Sequence, residues 1–327
     1  MLIQDKLTWD TNVEKNLALM STLGIDCVSL ELPDGPRANP LIDLSTTEAC
    51  FAFFKKTKAL VSAHKMELRT VLATRGFAEI KRGIPGRDEK IEFLQNVLCA
   101  MGAADIPIMA YNFKLILSKY LRSAPTPGRG MATYISFDYN AYLKNPAPAV
   151  EPALSEAQML ENLAYFLKAV IPVAEQAGVR LALHPDDPPV PRGTPPLAGA
   201  AHVVSTFDDY HRIFDLAPSR SNGMLFCQGC VAEMQGVDVY DAIRHMGELD
   251  KIVMVHFRNV RGEFPRFQET FVDNGDVDMV RAMQAYRDVG FNGPFSLDHS
   301  PMFAGSEIAN QAFVVGYMRA LIQAVYR

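Results

Sequence analysis

LALHPDDPP, at residues 181–189, is the stretch of sequence that decides the fold. Its apolar beginning is typical of a buried parallel strand, since both faces of such a strand are covered by other elements. The prolines that follow exclude a helix directly after the strand, because proline lacks a backbone N–H and restricts the residue before it. We therefore predict that His184 ends a strand and faces a loop that carries the carboxylates of Asp186 and Asp187.

The alternation of apolar strands and amphipathic helices continues along the whole chain. Strands are predicted over residues 3–9, 25–32, 67–73, 106–111, 179–183, 223–226, 251–255 and 294–297. Helices are predicted over residues 11–22, 46–64, 88–101, 155–176, 207–216, 239–247, 276–289 and 306–326. Eight repeated strand–helix units predict a closed parallel barrel, the (β/α)8 or TIM barrel, as one catalytic domain over residues 1–327.

One segment interrupts this alternation. Residues 112–152 show little periodicity and contain many prolines and glycines. A loop of this length is usually functional or disordered. Because the segment follows the fourth predicted strand, it belongs to the face where such barrels place their active sites. We predict an insertion that acts as a lid, in preference to a floppy insertion.

Composition excludes several classes of function. The 327 residues are 49% hydrophobic and 21% charged, with a net charge of −5. No basic block indicates a nucleic-acid partner, and no apolar run approaches the roughly 20 residues that span a bilayer. The first residues lack the pattern of a signal peptide, and the odd number of cysteines, 5, is typical of a reducing compartment. We expect a cytoplasmic protein with a small-molecule partner.

Four side chains that can bind a metal follow four successive predicted strands. They are His184, Cys227, His256 and Asp298, about forty, thirty and forty residues apart. Each interval is close to one strand–helix unit, so the four side chains should converge at the mouth of the barrel. Two imidazoles, a thiolate and a carboxylate suit a divalent transition metal such as Mn²⁺, Fe²⁺ or Zn²⁺, whereas Mg²⁺ and Ca²⁺ prefer oxygen ligands.

Each of these residues also has a purely structural explanation. A single histidine at a strand end is more often a hydrogen-bonded structural residue. Cys227 alone could be a small buried hydrophobic residue, and with Cys230 it could form a redox pair or half of a zinc site. A second C-x-x-C and a thioredoxin-like context are both missing from the sequence. Because all four residues occupy the same position relative to their strands, we favour a shared metal site over four separate structural roles.

Further polar residues follow the same strands. His299 comes directly after Asp298, where it could act as a general acid–base or support that carboxylate. Asp186 and Asp187 could orient the preceding histidine or bind substrate hydroxyls. Arg258 and Asn259 come shortly after another predicted strand and could bind a substrate carboxylate.

Motifs along almost the entire chain resemble the mannonate dehydratase family, in the xylose-isomerase-like set of TIM barrels. They are IKRG at 80–83, PGRD at 85–88, IP at 106–107, YNF at 111–113, PVAEQAGVR at 172–180, HPDDPP at 184–189, FCQG at 226–229, VHFRNV at 255–260, NGDVDM at 274–279 and DH at 298–299. The histidine-proline-aspartate run and the ordered His, Cys, His, Asp set are the specific parts of this resemblance.

The resemblance implies a function and a cofactor. The family removes water from D-mannonate to give 2-keto-3-deoxy-D-gluconate, with Mn²⁺ or Fe²⁺ as the metal. Its ligands correspond to the same four residues that the strand spacing selects. The resemblance thus implies a lyase of carbohydrate metabolism that forms a homo-oligomer.

Several substrate-binding positions depart from the family. A His-His pair is replaced by LELP at 30–33, an arginine by His202, and an Arg-Pro pair by SL at 296–297. The Phe-His-Glu stretch of the family is FQE at 267–269, a later histidine falls near Val272, and a catalytic tyrosine corresponds to Ala312. The metal ligands are kept while the substrate contacts differ, so we expect weak or absent activity on D-mannonate and activity on a related compound.

The sequence therefore predicts a metal-dependent hydro-lyase acting on a sugar acid or a related polyhydroxylated compound. His299 is the expected proton-transfer residue, with Asn112 and His202 among the expected substrate contacts. The leaving hydroxyl needs an acid, and Tyr111, Tyr134, Tyr139 or a metal-linked water could supply it. Two other functions stay open: a metal-dependent isomerase or epimerase acting on a keto-sugar, which the missing tyrosine favours, and a non-catalytic ligand-binding barrel.

Overall fold

Eight parallel strands close into a barrel in the computed structural model, which describes residues 1–301, 303 and 305–326. The strands of the described residues are β1 Leu2–Leu7, β2 Cys27–Glu31, β3 Glu67–Ala73, β4 Ile108–Asn112, β5 Ser123–Pro127, β6 Thr133–Asp138, β7 Arg180–His184, β8 Asn222–Cys227, β9 Ile252–His256, β10 Asn259–Glu263, β11 Arg266–Thr270 and β12 Pro294–Ser296. The barrel order is β1-β12-β9-β8-β7-β4-β3-β2. This confirms the TIM barrel predicted from the sequence.

Helices surround the barrel and connect its strands. They are α1 Val13–Leu23, α2 Thr47–Ala63, α3 Ala78–Arg82, α4 Arg87–Ala103, α5 Tyr139–Lys144, α6 Glu156–Ala177, α7 Phe207–Leu216, α8 Gln228–Glu233, α9 Val239–Glu248, α10 Met279–Asp288 and α11 Glu307–Val325. The helix α6 has a capping box at Ser155 and ends at Gly178 in the left-handed conformation. Over the described residues, every helix is too short or too polar to cross a membrane.

The alternation of side chains along the strands separates two apolar layers. Leu183 and Phe226 face outward and pack in the layer between the barrel and its helices. Ala182, Leu225 and Met254 face inward and fill the barrel interior. Since the side-chain period of a strand is two, the last residues of β7, β8 and β9 continue the inward series. The fold therefore directs the ends of these three strands into the mouth of the barrel.

A second sheet lies outside the barrel and was not predicted. It is antiparallel in the order β10-β11-β6-β5, so it joins the segment 112–152 to the hairpin after β9. The expectation of little regular structure in this segment was wrong, because the segment contributes β5, β6 and α5. The prolines Pro125 and Pro127 suggested a loop, but they lie in β5, at the edge of the sheet, where a strand tolerates missing N–H donors.

Asn259 fixes the start of this hairpin. Its Nδ2 donates to the carbonyl oxygens of Val272 and Val277 at 3.1 and 3.0 Å. Its Oδ1 accepts from the backbone N–H groups of Val260 and Val277 at 2.9 and 3.1 Å. A Cβ at Gly275 would come within 2.0 Å of this oxygen, so the close approach requires glycine. All four hydrogen-bonding positions of the amide are thus used by the protein.

We expect Asn259→Asp to lower the free energy of unfolding by about 2–4 kcal/mol, because a carboxylate cannot donate to the two buried carbonyls. Urea unfolding followed by circular dichroism measures this change. Asn140→Asp, on the exposed side of α5, is the matched control and should stay within about 0.5 kcal/mol of the wild type. Equal stability of the two variants would contradict the anchoring role.

Candidate metal centre

Three potential ligands meet at the mouth of the barrel. His184, Cys227 and His256 are the last residues of β7, β8 and β9, and their ligand atoms lie within 4.8 Å of one another. Asp298 lies two residues beyond β12, and its Oδ2 is 3.5 Å from both Cys227 Sγ and His256 Nδ1. The four residues predicted from strand spacing are therefore brought together.

The donor atoms fit a divalent transition metal. His256 Nδ1 is buried and has no hydrogen-bond partner among the described residues, which is expected for an atom that serves as a ligand. His184 Nδ1 lies 2.6 Å from the carbonyl oxygen of Pro185, so the ring can donate there and keep Nε2 free for a metal. Ligands about 2.1 Å from a tetrahedral ion are separated by about 3.4 Å, close to the Asp298 distances.

The charged side chains around the candidate ligands shift the pKa values of Cys227 and His256. Although burial opposes the change, the Cys230 thiol and the Arg258 guanidinium hold the pKa of Cys227 well below its ordinary value. Burial alone would lower the pKa of His256, but Asp298 raises it to about 10. Metal binding at His256 would therefore displace a proton from its ring, so we expect the affinity for a metal to increase with pH.

Arg258 is buried beside the candidate ligands, and each of its three guanidinium nitrogens donates a hydrogen bond within the protein. Its guanidinium donates to Glu233 Oε1 at 2.7 Å, to Asp298 Oδ2 at 3.0 Å and to Cys230 Sγ at 3.2 Å. A Cβ at Gly229 would clash with this guanidinium at 2.4 Å, so α8 packs directly on it. Cys230 and Glu233 also lie close to Asp187, but Arg258 already supplies the cation there. The structure thus places Arg258 as a support for Asp298, where sequence reasoning expected a substrate contact.

His299 is the titratable residue most open to a ligand. Its Nδ1 lies 2.5 Å from Glu269 Oε2, and its Nε2 lies 3.5 Å from Asp298 Oδ1. Partial desolvation opposes a positive charge on the ring, but Asp298 and Glu269 raise the pKa of His299 to about 9. Its side chain is 41% exposed and lines a cavity of about 400 Å³. The ring is therefore held by two carboxylates and is reachable from the cavity.

Glu269 and Arg122 were missed by sequence reasoning. Glu269 is 1% exposed and pairs with Arg122, which also binds both oxygens of Asp187 at 2.7 and 2.9 Å. The alternation of side chains in β11 could have indicated Glu269, whereas nothing local marks Arg122. Asp186 has a different role, because it accepts from the N–H groups of Val203 and Val204 and holds the loop after β7.

The tyrosines proposed as acids do not join this group. Tyr111 faces outward from β4 and packs on Phe166, with the ring centroids 5.5 Å apart. Tyr134 donates to Asn274 Oδ1 at 2.6 Å, and Tyr139 donates to a backbone carbonyl at 3.1 Å. The predicted catalytic role of Tyr111 therefore lacks support from its position.

Asn112 lies near the group and His202 does not. Asn112 pairs in register with His184, but its amide donates to the carbonyl of Thr74 at 2.7 Å and accepts from Lys81 Nζ at 2.9 Å. Burial lowers the pKa of Lys81 to about 8. His202 lines a separate cavity behind the loop after β7. Asn259, described above, has no free hydrogen-bonding position for a substrate.

The fold and the site define a TIM-barrel protein with a potential transition-metal centre at the carboxyl ends of its strands. Residues 149–325 match the family model described as D-mannonate dehydratase (UxuA). Because this match spans more than half of the chain, the chain belongs to the D-mannonate dehydratase family. This confirms the family resemblance stated from the sequence, and it confirms the predicted enzyme class, a hydro-lyase related to mannonate dehydratase.

Individual relatives agree with this assignment. "Mannonate dehydratase 2" of Halalkalibacterium halodurans is 28% identical over 297 residues, covering 81% of this chain and 84% of the relative. The "Mannonate dehydratase" of Streptococcus uberis is 27% identical over 305 residues, covering 84% and 86%.

Solved structures support the fold. The mannonate dehydratase of Streptococcus suis serotype2 superposes with a TM-score of 0.84 at 24% identity, covering 99% of this chain and 93% of the other. An L-ribulose 3-epimerase superposes with a TM-score of 0.64 at 12% identity, covering 100% of this chain and 96% of the other, and this likeness shows the fold alone.

We predict that Cys227 ligates the metal and that Cys230 does not. Cys227→Ser should weaken metal binding at least about tenfold, because a thiolate ligand is lost, whereas Cys230→Ser should keep the metal. Metal content after dialysis against a Mn²⁺ buffer, measured by mass spectrometry, compares the two variants. Retention of the metal by Cys227→Ser together with its loss from Cys230→Ser would reverse the assignment.

Proposed function

We propose that this chain is a metal-dependent dehydratase that removes water from a sugar acid, either D-mannonate or a related polyhydroxylated acid. One observation carries the proposal: His299, held by Glu269 and reachable from a cavity, adjoins the potential ligand Asp298. A proton-transfer group next to a metal ligand is the arrangement that elimination of water from an acid requires.

The reaction balances without another reactant. The C–H bond next to the substrate carboxylate breaks, and its electron pair forms a double bond to the neighbouring carbon. The hydroxyl on that carbon gains a proton and leaves as water, and the resulting enol tautomerises to a 2-keto-3-deoxy acid. A divalent ion held by His184, Cys227, His256 and Asp298 would supply Lewis-acid polarisation of substrate oxygen atoms.

The chain's own residues divide the remaining work. His299 transfers the proton at its ring nitrogen, and Glu269 fixes the orientation of the ring through Nδ1. Arg258 holds Asp298 in place through Nε, so the carboxylate keeps its direction toward the other ligands. Arg122 forms ion pairs with Asp187 and Glu269 and so holds both carboxylates beside His299.

The substrate side of the mouth differs from the family pattern. Glu31 lies where the family has a His-His pair, and it binds Lys6 Nζ at 2.5 Å and Thr74 Oγ1 at 2.8 Å. A site built to bind particular hydroxyls discriminates strongly when a partner is exchanged, by roughly 10⁴-fold. This supports a substrate other than D-mannonate within the sugar acids. Mn²⁺ or Fe²⁺ as the metal, a homo-oligomer and a cytoplasmic location are part of the same proposal.

The assay is a panel of hexonates and pentonates with Mn²⁺ or Fe²⁺, followed by detection of 2-keto-3-deoxy acids. We expect turnover of at least one acid, with kcat/KM on D-mannonate below about 10⁴ M⁻¹s⁻¹. His299→Gln should lower kcat/KM about 10²- to 10⁴-fold at unchanged metal content. His245→Gln, at an exposed position of α9, is the control and should keep full activity. Products of unchanged mass from keto-sugars would instead indicate an isomerase.

We also propose that residues 112–152 form a lid. The segment supplies Arg122, which pairs with Asp187 and Glu269 beside His299. With Mn²⁺ and a bound sugar acid, we expect slower hydrogen exchange in peptides from 112–152 and unchanged exchange in α7. Equal exchange in the segment with and without the acid would contradict a lid.

A further inference from the structure

The cavity beside His299 has one wall from the barrel and one from the segment 112–152. His299 lines the barrel side, Glu269 of β11 lies next to it at the second sheet, and Ser118, Arg122 and Ser123 line the side formed by the segment. Its volume of about 400 Å³ is in the range of small-ligand sites. His299 and Arg122 line the same cavity. A molecule in this cavity that contacts the ring of His299 can therefore also approach Arg122.

Arg122 is buried and only partly satisfied. The side chain is 9% exposed, and the ion pairs with Asp187 and Glu269 are all made by its Nη2 atom. Its Nη1 atom is buried and has no hydrogen-bond partner among the described residues. A buried N–H group without a partner is rare in folded proteins, and a charged one is particularly costly. The unused donor therefore indicates a ligand atom.

The charges of the surroundings limit what this ligand atom can be. Asp187 and Glu269 fix the guanidinium in place, so Nη1 cannot turn to another protein acceptor without breaking the Nη2 pairs. Nη1 can only donate, so its partner must be an acceptor such as a hydroxyl or carboxylate oxygen. The opposite end of a chain-like substrate would lie toward the metal centre, on the far side of His299.

We infer that Arg122 is a specificity-determining residue, whose Nη1 binds an oxygen at the end of the sugar acid remote from the metal centre. Arg122 thereby selects long polyhydroxylated acids over short ones that end before the cavity. This inference rests on the proposed function and adds the residue that determines chain length.

The test compares the binding of long and short acids. Calorimetry on the Mn²⁺-loaded protein gives Kd for the six-carbon D-mannonate and D-gluconate and for the four-carbon D-erythronate. For the wild type we expect at least one six-carbon acid to bind about 10- to 100-fold more tightly than D-erythronate, the range of one charge-assisted hydrogen bond. Arg122→Gln and Arg122→Lys should each reduce this preference below about threefold by weakening only the long acid.

Two variants separate recognition from structural support. Arg122→Lys keeps a cation beside Asp187 and Glu269 and loses the second nitrogen, so it should stay folded and lose the preference. Arg129→Gln is the matched control: Arg129 lies in the same segment and pairs with Asp273 at 2.7 Å, and its loss should leave the preference unchanged. Equal weakening of both acids in the Arg122 variants would show a structural role and overturn the inference.

The outcomes distinguish this inference from the proposed function. A wild-type preference for long acids that disappears in the Arg122 variants supports the inference. If none of the acids loses water in the same experiments, only the proposed dehydratase activity is refuted. Preserved chain-length preference in the Arg122→Lys protein refutes the inference while leaving dehydration intact. A wild type that binds none of the acids, or binds long and short acids equally, also refutes it.

Discussion

The buried guanidinium of Arg258 is the interaction on which the site depends. It joins Cys230 and Glu233, which both belong to α8, to Asp298 beyond β12, so it connects two separate parts of the chain. Burying this many charged groups is tolerated only where the charges are paired and hydrogen-bonded. Removing the guanidinium would leave the buried Glu233 without its ion-pair partner and would leave Asp298 with only the imidazoles of His256 and His299 as charged neighbours. The direction of Asp298, and with it the shape of the metal centre, follows from this one side chain.

The convergence of the candidate metal ligands could be predicted because their positions depend on local rules. The period of two along a strand and the convergence of parallel strands bring His184, Cys227 and His256 together, and both rules apply to the sequence alone. Asp298 lies two residues past its strand, yet the same logic finds it. These positions require no knowledge of which loop contacts which.

Other site residues depend on contacts between distant segments. Glu269 reaches His299 from the β10–β11 hairpin, and β11 also pairs with β6, more than a hundred residues earlier in the chain. Arg122 depends on the same pairing, and its surroundings in the sequence contain no pattern that separates it from other loop arginines. Asn259 and Arg258 were expected to bind substrate, since polar residues next to a site are ambiguous until their partners are known. Their amide and guanidinium groups are instead used within the protein.

The antiparallel sheet outside the barrel has a mechanical consequence. Its strands β11 and β6 place the carboxylate partner of His299 and the covering segment on one hydrogen-bonded body. A displacement of that body outward would carry Glu269 away from the imidazole and would separate Arg122 from the barrel. In the proposed mechanism, the imidazole of His299 would therefore be correctly oriented only while the segment covers the mouth, so access of bulk water and readiness for chemistry would exclude each other.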